Sequence, residues 1–491
     1  MPILEQTNIE PDICNFLEDL QGNILKSHGR DYSVHIFVEF KSPKAAKEWI
    51  KHFAESVTSA RKQWQESDSY RKTNRKESGE PFVNFLLSAK GYTVLNFDKS
   101  KQYIDLAGTF RLGHKNERLL NDLQDPPLIN WEPGYQKEIH ALILLADDNY
   151  EIILEKAIEV LKDVSRVADI VNTEVGFVVR RDNQAINHFG FVDGISQPLF
   201  LKKDIDTAKE QGINNWDPSA TLDLVLVKDP FGQGDNSFGS YCVYRKLESD
   251  VQGFKKAEQE LAGKLGLEGK DAERVGALVM GRFRDGTPVT LAPEKEGLAS
   301  IINNFNYNED VEGSKCPFQA HIRKVNPRGD RSDDEQRETL EQQRTHRIVR
   351  RSITYTYSKE WQNSRNEEKT LSSQISWCHH QLMYVKEMTI QKLQEESDKK
   401  VGLLFLCFQS DISNQFNFIQ KRWANNNDFA KKRIGLDAVI GQGKKQPDGQ
   451  KWLGKDGNEV YCDFSGFVTM KGGEFFFAPS ISFLKTITKW P

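Results

Sequence analysis

Hydrophobic and polar positions follow two different periods along the first 180 residues. Apolar and polar residues alternate over 33–40, which predicts a half-buried strand, and apolar residues recur at helical spacing over 43–57. The same two patterns predict a strand and a helix at 82–97, a strand at 139–145, a helix at 149–163 and a strand at 174–180. Strand, helix, strand, followed again by strand, helix, strand, is typical of a ferredoxin-like domain, in which helices cover an antiparallel sheet.

A second round of this pattern follows a long polar stretch. Residues 201–236 are mostly polar and carry one short apolar run, so they are predicted to connect two domains. A strand at 240–247 and a helix at 248–265 come next. The sequence therefore predicts an α+β fold of two ferredoxin-like domains with antiparallel sheets, one domain over 1–200 and the other, with polar insertions, over 237–491.

Composition narrows the kinds of protein that the chain can be. Its 491 residues suffice for two or three domains and for burial of a cofactor, and 38% hydrophobic residues fit a soluble globular protein. The formal net charge of -4 shows no basic excess, so a nucleic-acid partner is not expected. Six cysteines without any Cys-x-x-Cys spacing argue against zinc, iron–sulfur clusters and a disulfide framework. The start has no basic segment before an apolar run and no stretch approaches about 20 apolar residues, so a cytoplasmic protein without a membrane partner is expected.

One stretch, 188–200, concentrates candidate chemistry. It places Asp193 between Gly190 and Gly194 among apolar and aromatic neighbours, and Pro198 ends any regular element there. Asp193 is therefore predicted to lie on a constrained loop from which its carboxylate can reach a ligand. The alternative is a carboxylate that only caps a turn, because Asp and Gly are ordinary turn residues.

This stretch also resembles a known family signature. Gly-x-x-Asp-Gly followed by Ile-Ser-Gln-Pro is similar to the signature of the dye-decolorising peroxidases, haem enzymes in which this aspartate lies on the side of the iron where peroxide binds. Segments similar to motifs of that family stand in its order at 21–25, 188–200, 316–328, 345–355 and 467–484. The resemblance implies a fold like a dimeric α+β barrel, with haem b bound between or beside the two domains.

A haem peroxidase needs an axial iron ligand, usually histidine, on the face of the haem opposite to peroxide. The chain offers ten histidines. His188 is not favoured because it would place the ligand and Asp193 on one short loop, and the pair His379 and His380 is not favoured because adjacent side chains on regular structure point apart. His114 lies in a polar segment and is predicted to be a surface residue.

The resemblance selects His321 among these histidines. His321 lies in 316–328, which is similar to the family's proximal-histidine segment at several positions together. The resemblance implies that His321 binds the iron and that Arg323 pairs with a haem propionate, since a guanidinium matches a carboxylate. In 467–484, Glu474 is the acid of the family's last motif and a candidate hydrogen-bond partner of His321; the alternative is a carboxylate that faces water.

The segment 345–355 supplies a candidate cation to work with Asp193. It resembles the family's Arg-Arg-Gly motif, with Ser352 where the family usually has glycine, and the first arginine of the doublet is Arg350. The resemblance implies that Arg350 faces the peroxide side of the haem. A fixed cation there would stabilise the negative charge that develops on the departing peroxide oxygen. The alternative for this arginine-rich segment is a solvated basic strand.

Apolar and aromatic residues complete the candidate site. Leu403 and Phe405 belong to an apolar run of strand length, and the resemblance implies that both face the peroxide side of the cavity. A haem buried between two domains admits only small molecules, so bulky donors are expected to be oxidised at the surface through a relay residue. Candidates are Tyr355, Tyr357 and Trp377, each of which can also be an ordinary core or surface aromatic.

The resemblance implies a peroxidase that reduces hydrogen peroxide and oxidises organic donors, small or bulky, such as dyes and phenolic compounds, by one-electron steps. The competing interpretation is a non-catalytic haem-binding or haem-trafficking protein, and a third is a structural α+β protein without a cofactor. Because haem binding alone needs only His321 and a cavity, the presence of both Asp193 and Arg350 favours the enzyme. The natural substrate and the oligomeric state are left open by the sequence.

Overall fold

A computed structural model describes residues 2–11, 14–73, 79–97, 108–295, 302–330, 338–358, 370–388, 399–454 and 456–490. The strands are β1 (Tyr32–Phe40), β2 (Phe82–Ser88), β3 (Ala141–Asp147), β4 (Ala168–Phe177), β5 (Val179–Arg181), β6 (Gln184–Ile186), β7 (Val227–Lys228), β8 (Phe238–Ser249), β9 (Val349–Arg350), β10 (Ile353–Ser358), β11 (Lys399–Gln409), β12 (Gln450–Leu453), β13 (Glu459–Cys462) and β14 (Val468–Ala478). The α-helices are α1 (Pro43–Phe53), α2 (Ala60–Lys72), α3 (Ala89–Val94), α4 (Gly108–Leu112), α5 (Glu117–Leu123), α6 (Pro133–Gln136), α7 (Tyr150–Val164), α8 (Lys202–Glu210), α9 (Val251–Leu265), α10 (Glu273–Met280), α11 (His321–Val325), α12 (Leu340–Thr345), α13 (Leu371–Lys386) and α14 (Ile481–Thr486).

The main sheet closes on itself. Around it the strand order is β8, β14, β2, β3, β1, β4, β10 and β11, and β11 pairs back with β8. All of these pairings are antiparallel. Closure gives every one of these strands a neighbour on both sides, and the pairing is shortest between β14 and β2 and between β4 and β10. The predicted α+β class with an antiparallel, barrel-like sheet is confirmed.

Each half of the chain contributes a block of neighbouring strands to this sheet. The N-terminal block has the order β4, β1, β3, β2, and the C-terminal block has the order β14, β8, β11, β10. If the four strands of each block are numbered in chain order, both blocks have the spatial order fourth, first, third, second. The two blocks therefore have the same topology. The domain boundaries at 1–200, 201–236 and 237–491 stay a prediction.

Helices cover the sheet through faces that the sequence pattern marks. α7 begins at an Asn149 cap, whose side chain accepts hydrogen bonds from the N–H groups of Glu151 and Ile152. Its buried residues recur at helical spacing and pack towards β1, β3 and α13: Ile153, Ala157, Val160, Leu161 and Val164. Burial of each larger apolar side chain stabilises the fold by roughly 1.5–3 kcal/mol. Within the described ranges, no helix combines the length and the apolar character needed to cross a lipid bilayer.

Candidate active site

A cavity of about 560 Å³ lies among α11, β9, β11, β14 and the 188–198 loop. Its volume falls within the roughly 300–1,000 Å³ range of protein ligand sites. Most of the site residues predicted from sequence line this cavity: Asp193, His321, Arg350, Leu403 and Phe405. Arg323 and Glu474 do not belong to its wall.

His321 is the first residue of α11, and 19% of its side chain is exposed. Its Nδ1 lies 3.0 Å from Oδ2 and 3.2 Å from Oδ1 of Asp437. Because a carboxylate only accepts hydrogen bonds, Nδ1 carries the proton and Nε2 keeps a free lone pair. Nε2 has no hydrogen-bond partner among the residues that the structure describes. Nε2 of His321 is therefore the ring nitrogen that remains able to bind a ligand in the cavity.

Asp437 is completely buried and held by the backbone of its own turn. Its Oδ1 accepts hydrogen bonds from the N–H groups of Val439, at 2.8 Å, and Ile440, at 2.7 Å. Burial acts to raise the pKa of Asp437, but His321 and these two N–H groups outweigh burial and leave the pKa below its ordinary value. Asp437 is thus an ionised acceptor for His321. Sequence reasoning missed it because 116 positions separate the two residues and no motif marks Asp437.

Glu474 does not contact His321. Its Oε1 accepts a hydrogen bond from the backbone N–H of His114 at 3.2 Å, and its Oε2 accepts one from Nζ of Lys115 at 3.0 Å. The predicted pairing of Glu474 with His321 is therefore wrong, because Asp437 occupies the place of that partner. Glu474 instead ties β14 to the segment before α5.

Arg323 is also directed away from the cavity. It is completely buried, and its guanidinium donates to the carboxylates of Asp310 and Asp330 and to the carbonyl oxygens of Asp310 and Cys316. These hydrogen bonds occupy all five N–H groups of the side chain. The predicted pairing of Arg323 with a haem propionate is therefore wrong. Arg323 instead joins α11 to the segments on either side of it.

Asp193 lies on the constrained loop that its neighbours predict. The φ angles of Gly190, Gly194 and Ser196 are +88°, +75° and +63°, in the left-handed region that favours glycine. The N–H of Asp193 donates to the carbonyl of Ala185 at 2.9 Å, and the N–H of Gly194 donates to Oδ1 of Asp193 at 2.7 Å. The loop thereby turns the Asp193 carboxylate towards the cavity.

Arg350 reaches the same part of the cavity from β9. Its Nη1 lies 4.0 Å from Oδ1 of Asp193, and 35% of the Arg350 side chain and 31% of the Asp193 side chain are exposed. Nη2 of Arg350 donates to the carbonyl of Ile195 at 2.6 Å, and its backbone N–H donates to Oε1 of Gln197 at 3.0 Å. The guanidinium is thus fixed on the Asp193 loop while both charged groups keep hydrogen-bonding capacity for a small molecule.

Comparison with known proteins identifies the family. Residues 19–180 match the model of the DyP dimeric alpha+beta barrel domain. Over 488 residues, 97% of each chain, this chain is 37% identical to the multifunctional dye peroxidase DyP2 of Amycolatopsis sp.. The chain belongs to the dye-decolorising peroxidase family. Dye-decolorising peroxidases are haem enzymes, so this chain is a haem enzyme as well.

Solved structures of two relatives have the same architecture. The crystal structure of the DyP-type peroxidase of Anabaena sp. aligns with a TM-score of 0.85 and 41% identity over 99% of both chains. The structure of DyP2 from Amycolatopsis sp. aligns with a TM-score of 0.83 and 35% identity over 98% of this chain and 99% of that chain. Both alignments cover nearly the whole of this chain.

The cavity of this dye-decolorising peroxidase fits a group that carries negative charges. Arg282, Arg328 and Arg351 are buried in its wall, and their N–H groups donate to carbonyl, amide and hydroxyl oxygens. None of the three forms an ion pair with a carboxylate in the described part of the chain. Burial lowers the pKa of Arg282 to about 10 and the pKa of Arg328 and Arg351 to about 9, so all three stay charged at neutral pH. Buried cations without a carboxylate partner are expected beside a ligand that brings its own carboxylates, as haem does with its two propionates.

A second arginine of the 316–328 segment lines the cavity. Arg328 ends the same 316–328 segment in which Arg323 was chosen, and its Nη2 donates to Oγ of Ser196 at 2.7 Å. Both arginines are buried and carry the same charge, and only their positions and partners separate the one that lines the cavity from the one that does not.

The apolar part of the wall comes from β11 and a π-helical stretch. Leu403 and Phe405 both line the cavity, as alternation along a strand requires of residues two apart. The Phe405 ring lies 5.9 Å from that of Phe416, which also lines the cavity. Phe416 belongs to the π-helix Ser413–Asn417, and π-helices are rare and often found at functional sites. Contact of Leu403 and Phe405 with the haem stays a prediction.

The four other histidines for which the sequence suggested a role are not placed as His321 is. His188 lines the cavity, but its Nε2 lies 2.9 Å from a backbone carbonyl, and burial lowers its pKa to about 4. His379 and His380 are exposed on α13. His114 is completely buried, with Nε2 at 3.2 Å from a buried carboxylate, so its predicted position at the surface is wrong.

The three relay candidates Tyr355, Tyr357 and Trp377 are all buried. The rings of Tyr355 and Tyr357 stack with centres 5.6 Å apart, and Nζ of Lys246 lies 4.9 Å and 4.8 Å from those centres. Nζ of Lys246 is itself paired with two carboxylates, at 2.8 Å and 3.0 Å, which compensate its charge over the rings. None of the three residues can itself touch a bulky donor, and their relay role stays a prediction.

Proposed function

We propose that this chain is a haem b peroxidase that reduces hydrogen peroxide and oxidises organic donors such as dyes and phenolic compounds by one-electron steps. The observation that carries the proposal is that one cavity contains two sets of groups. One is a histidine held by a buried carboxylate, and the other is a carboxylate and a guanidinium 4.0 Å apart. The similarity to the Amycolatopsis relative, a multifunctional dye peroxidase, supports dyes as donors.

In this proposal, Nε2 of His321 binds the haem iron, and Arg282 and Arg328 hold the propionates. The bound haem supplies the redox chemistry of the reaction. Asp437 keeps His321 in one tautomer and increases the electron donation of its imidazole. Leu403 and Phe405 restrict water and the size of molecules that enter the cavity.

Asp193 and Arg350 divide the activation of peroxide between them. Asp193 takes the proton from one peroxide oxygen and returns it to the other, so that the departing oxygen leaves as water. Arg350 stabilises the negative charge that develops on that oxygen as the O–O bond breaks. A protein that only binds or carries haem has no use for this second pair, which favours the peroxidase over the haem-trafficking alternative.

A cytoplasmic location is part of the proposal. All six cysteines lie in the described ranges, and all are free thiols. Free thiols are typical of a reducing compartment, whereas disulfides prevail in oxidising ones.

The test is the absorption spectrum and the peroxide turnover of the purified protein. The parent is expected to show a haem Soret band and to consume hydrogen peroxide when a dye or a phenol is present. His321→Ala is expected to lose most of the haem or to hold it with an altered spectrum. His188→Gln, a matched change at a second cavity histidine, is expected to keep the parental spectrum. A His321→Ala protein with full haem content and an unchanged spectrum would rule out the ligand assignment.

A further inference from the structure

Lys324 is a buried cation close to the pair of His321 and Asp437. The reaction described above does not use Lys324. Its side chain is completely buried, and its Nζ donates to the carbonyl of Asn426 at 2.7 Å and to that of Gly435 at 2.6 Å. Among the described residues it forms no ion pair with a carboxylate. A buried ammonium with only carbonyl partners is uncommon, because its desolvation is only partly offset.

The two carbonyls connect Lys324 with the segment that carries Asp437. Lys324 follows His321 by three positions on α11, and Gly435 precedes Asp437 by two positions. The N–H of Asp437 donates to the carbonyl of Ala424 at 2.9 Å, so the whole turn is fixed by hydrogen bonds. Lys324 therefore joins the helix that presents His321 to the loop that presents Asp437.

The charge of Lys324 is coupled to Asp437 as well. Burial lowers the pKa of Lys324 to about 7, and the carboxylates of Asp437 and Asp428 oppose this effect by favouring the charged form. An ammonium near Asp437 stabilises the carboxylate and so weakens its pull on the proton at Nδ1 of His321. Less negative charge then builds up on the imidazole.

We propose that Lys324 is a positioning residue that sets the electron donation of His321 through Asp437. The inference rests on the proposed function, because it requires haem bound by His321. A charged Lys324 limits the electron donation of the imidazole and so keeps the haem iron easier to reduce. Removal of the charge lets Asp437 draw the proton more strongly, which makes His321 a stronger donor and the iron harder to reduce.

A purely mechanical role would leave the reduction potential unchanged. If Lys324 only ties α11 to the 426–435 loop, then a neutral side chain that still donates to the carbonyls would preserve the site. Lys324→Gln retains an N–H donor without the charge, Lys324→Met removes both, and Lys324→Arg keeps both. The three variants therefore separate charge from hydrogen bonding.

The experiment measures two properties of the haem-loaded proteins. One is the reduction potential, from the ratio of ferrous to ferric protein at equilibrium with a reference redox dye. The other is the iron–histidine stretching frequency of the ferrous form by resonance Raman spectroscopy. At pH 6, where most molecules carry the Lys324 charge, Lys324→Met and Lys324→Gln are expected to lower the ferrous-to-ferric ratio by about threefold or more, as loss of one nearby unit charge through an effective dielectric near 20 predicts. Both are expected to raise the stretching frequency, and Lys324→Arg is expected to match the parent.

A double variant tests whether the effect passes through Asp437. In an Asp437→Asn background, Lys324→Met is expected to change the ratio and the stretching frequency much less than in the parent, because neither residue then acts on the imidazole proton. An equal change in both backgrounds would overturn the inference. Unchanged potentials in the neutral variants, or neutral variants that take up no haem at all, would also overturn it and leave Lys324 a structural tie. A parent protein without haem on His321 would instead refute the proposed function. The absorption spectrum of the parent protein distinguishes this outcome from a failure of the inference.

Discussion

Asp437 holds His321 from the side of the ring that faces away from its free lone pair. Both carboxylate oxygens of Asp437 lie within 3.2 Å of Nδ1 of His321, and Asp437 itself is fixed by two backbone N–H groups. The arrangement sets the tautomer before any ligand arrives, because only Nε2 remains able to bind a metal. The proximal side of the cavity is thus prepared by residues far apart in sequence.

Replacement of Asp437 by asparagine is expected to weaken this preparation. The amide of the new side chain would hold the ring with a neutral acceptor, so His321 would become a weaker donor and the reduction potential would rise. Haem affinity is expected to fall by roughly 10- to 100-fold, as for other partners of metal-bound histidines. Haem transfer to an apoprotein acceptor measures the affinity, and Glu474→Gln, at the residue that does not touch His321, is the control. Equal haem loss in both variants would contradict the assignment of Asp437.

Changes at Asp193 and Arg350 are expected to slow the reaction with peroxide without loss of haem. Asp193→Asn removes the proton acceptor, which is worth roughly 100- to 10,000-fold, and Arg350→Leu removes the charge stabiliser, which is worth roughly 100- to 1,000-fold. Stopped-flow absorbance after mixing with hydrogen peroxide measures both rates. Asp182→Asn and Arg422→Leu, at exposed positions outside the cavity wall, are expected to react at the parental rate.

The two rates also decide how the roles are divided. If both variants keep haem and react at the parental rate, the pair does not activate peroxide. If only Arg350→Leu is slow, Asp193 controls structure or access, and the proton travels through water held by the arginine.

Arg323→Leu is expected to reduce stability rather than haem contacts. The substitution leaves Asp310 and Asp330 buried without their cation, which costs about 3–5 kcal/mol for a broken buried pair. Chemical denaturation followed by circular dichroism measures the loss. Arg433→Leu removes an arginine whose side chain is 77% exposed, and it is expected to leave the denaturation midpoint unchanged. A stable Arg323→Leu protein with selectively weakened haem binding would restore the propionate role.

Stability is expected to fall as pH decreases from 7 to 4. Burial lowers the pKa of His28 to about 3 and the pKa of His35 and His188 to about 4, against about 6.5 in the unfolded chain. Between these values the unfolded state binds protons that the folded state excludes, so the free energy of unfolding decreases by roughly 3 kcal/mol for each histidine. Denaturation at several pH values measures the slope, and His35→Gln should reduce it. A slope that His35→Gln does not change would show that other groups dominate.

The sequence by itself determined the fold class, the family and three of the chemical groups. Apolar periodicity is a local property, so it marks strands such as Tyr32–Phe40 and helices such as Tyr150–Val164 to within a few residues. Asp193, His321 and Arg350 each lie in a contiguous motif, and the cavity contains all three.

The tertiary structure alone decided which groups become partners. Asp437 meets His321 across 116 positions, and Arg328 rather than Arg323 faces the cavity. The sequence could not show either fact, because a carboxylate or a guanidinium looks the same in sequence whether it is buried, paired or free. His114 was placed at the surface by its polar neighbours, yet the closed sheet buries it against Phe475. Pairing depends on how distant segments pack, and the free energy of a buried charge depends on that packing rather than on local composition.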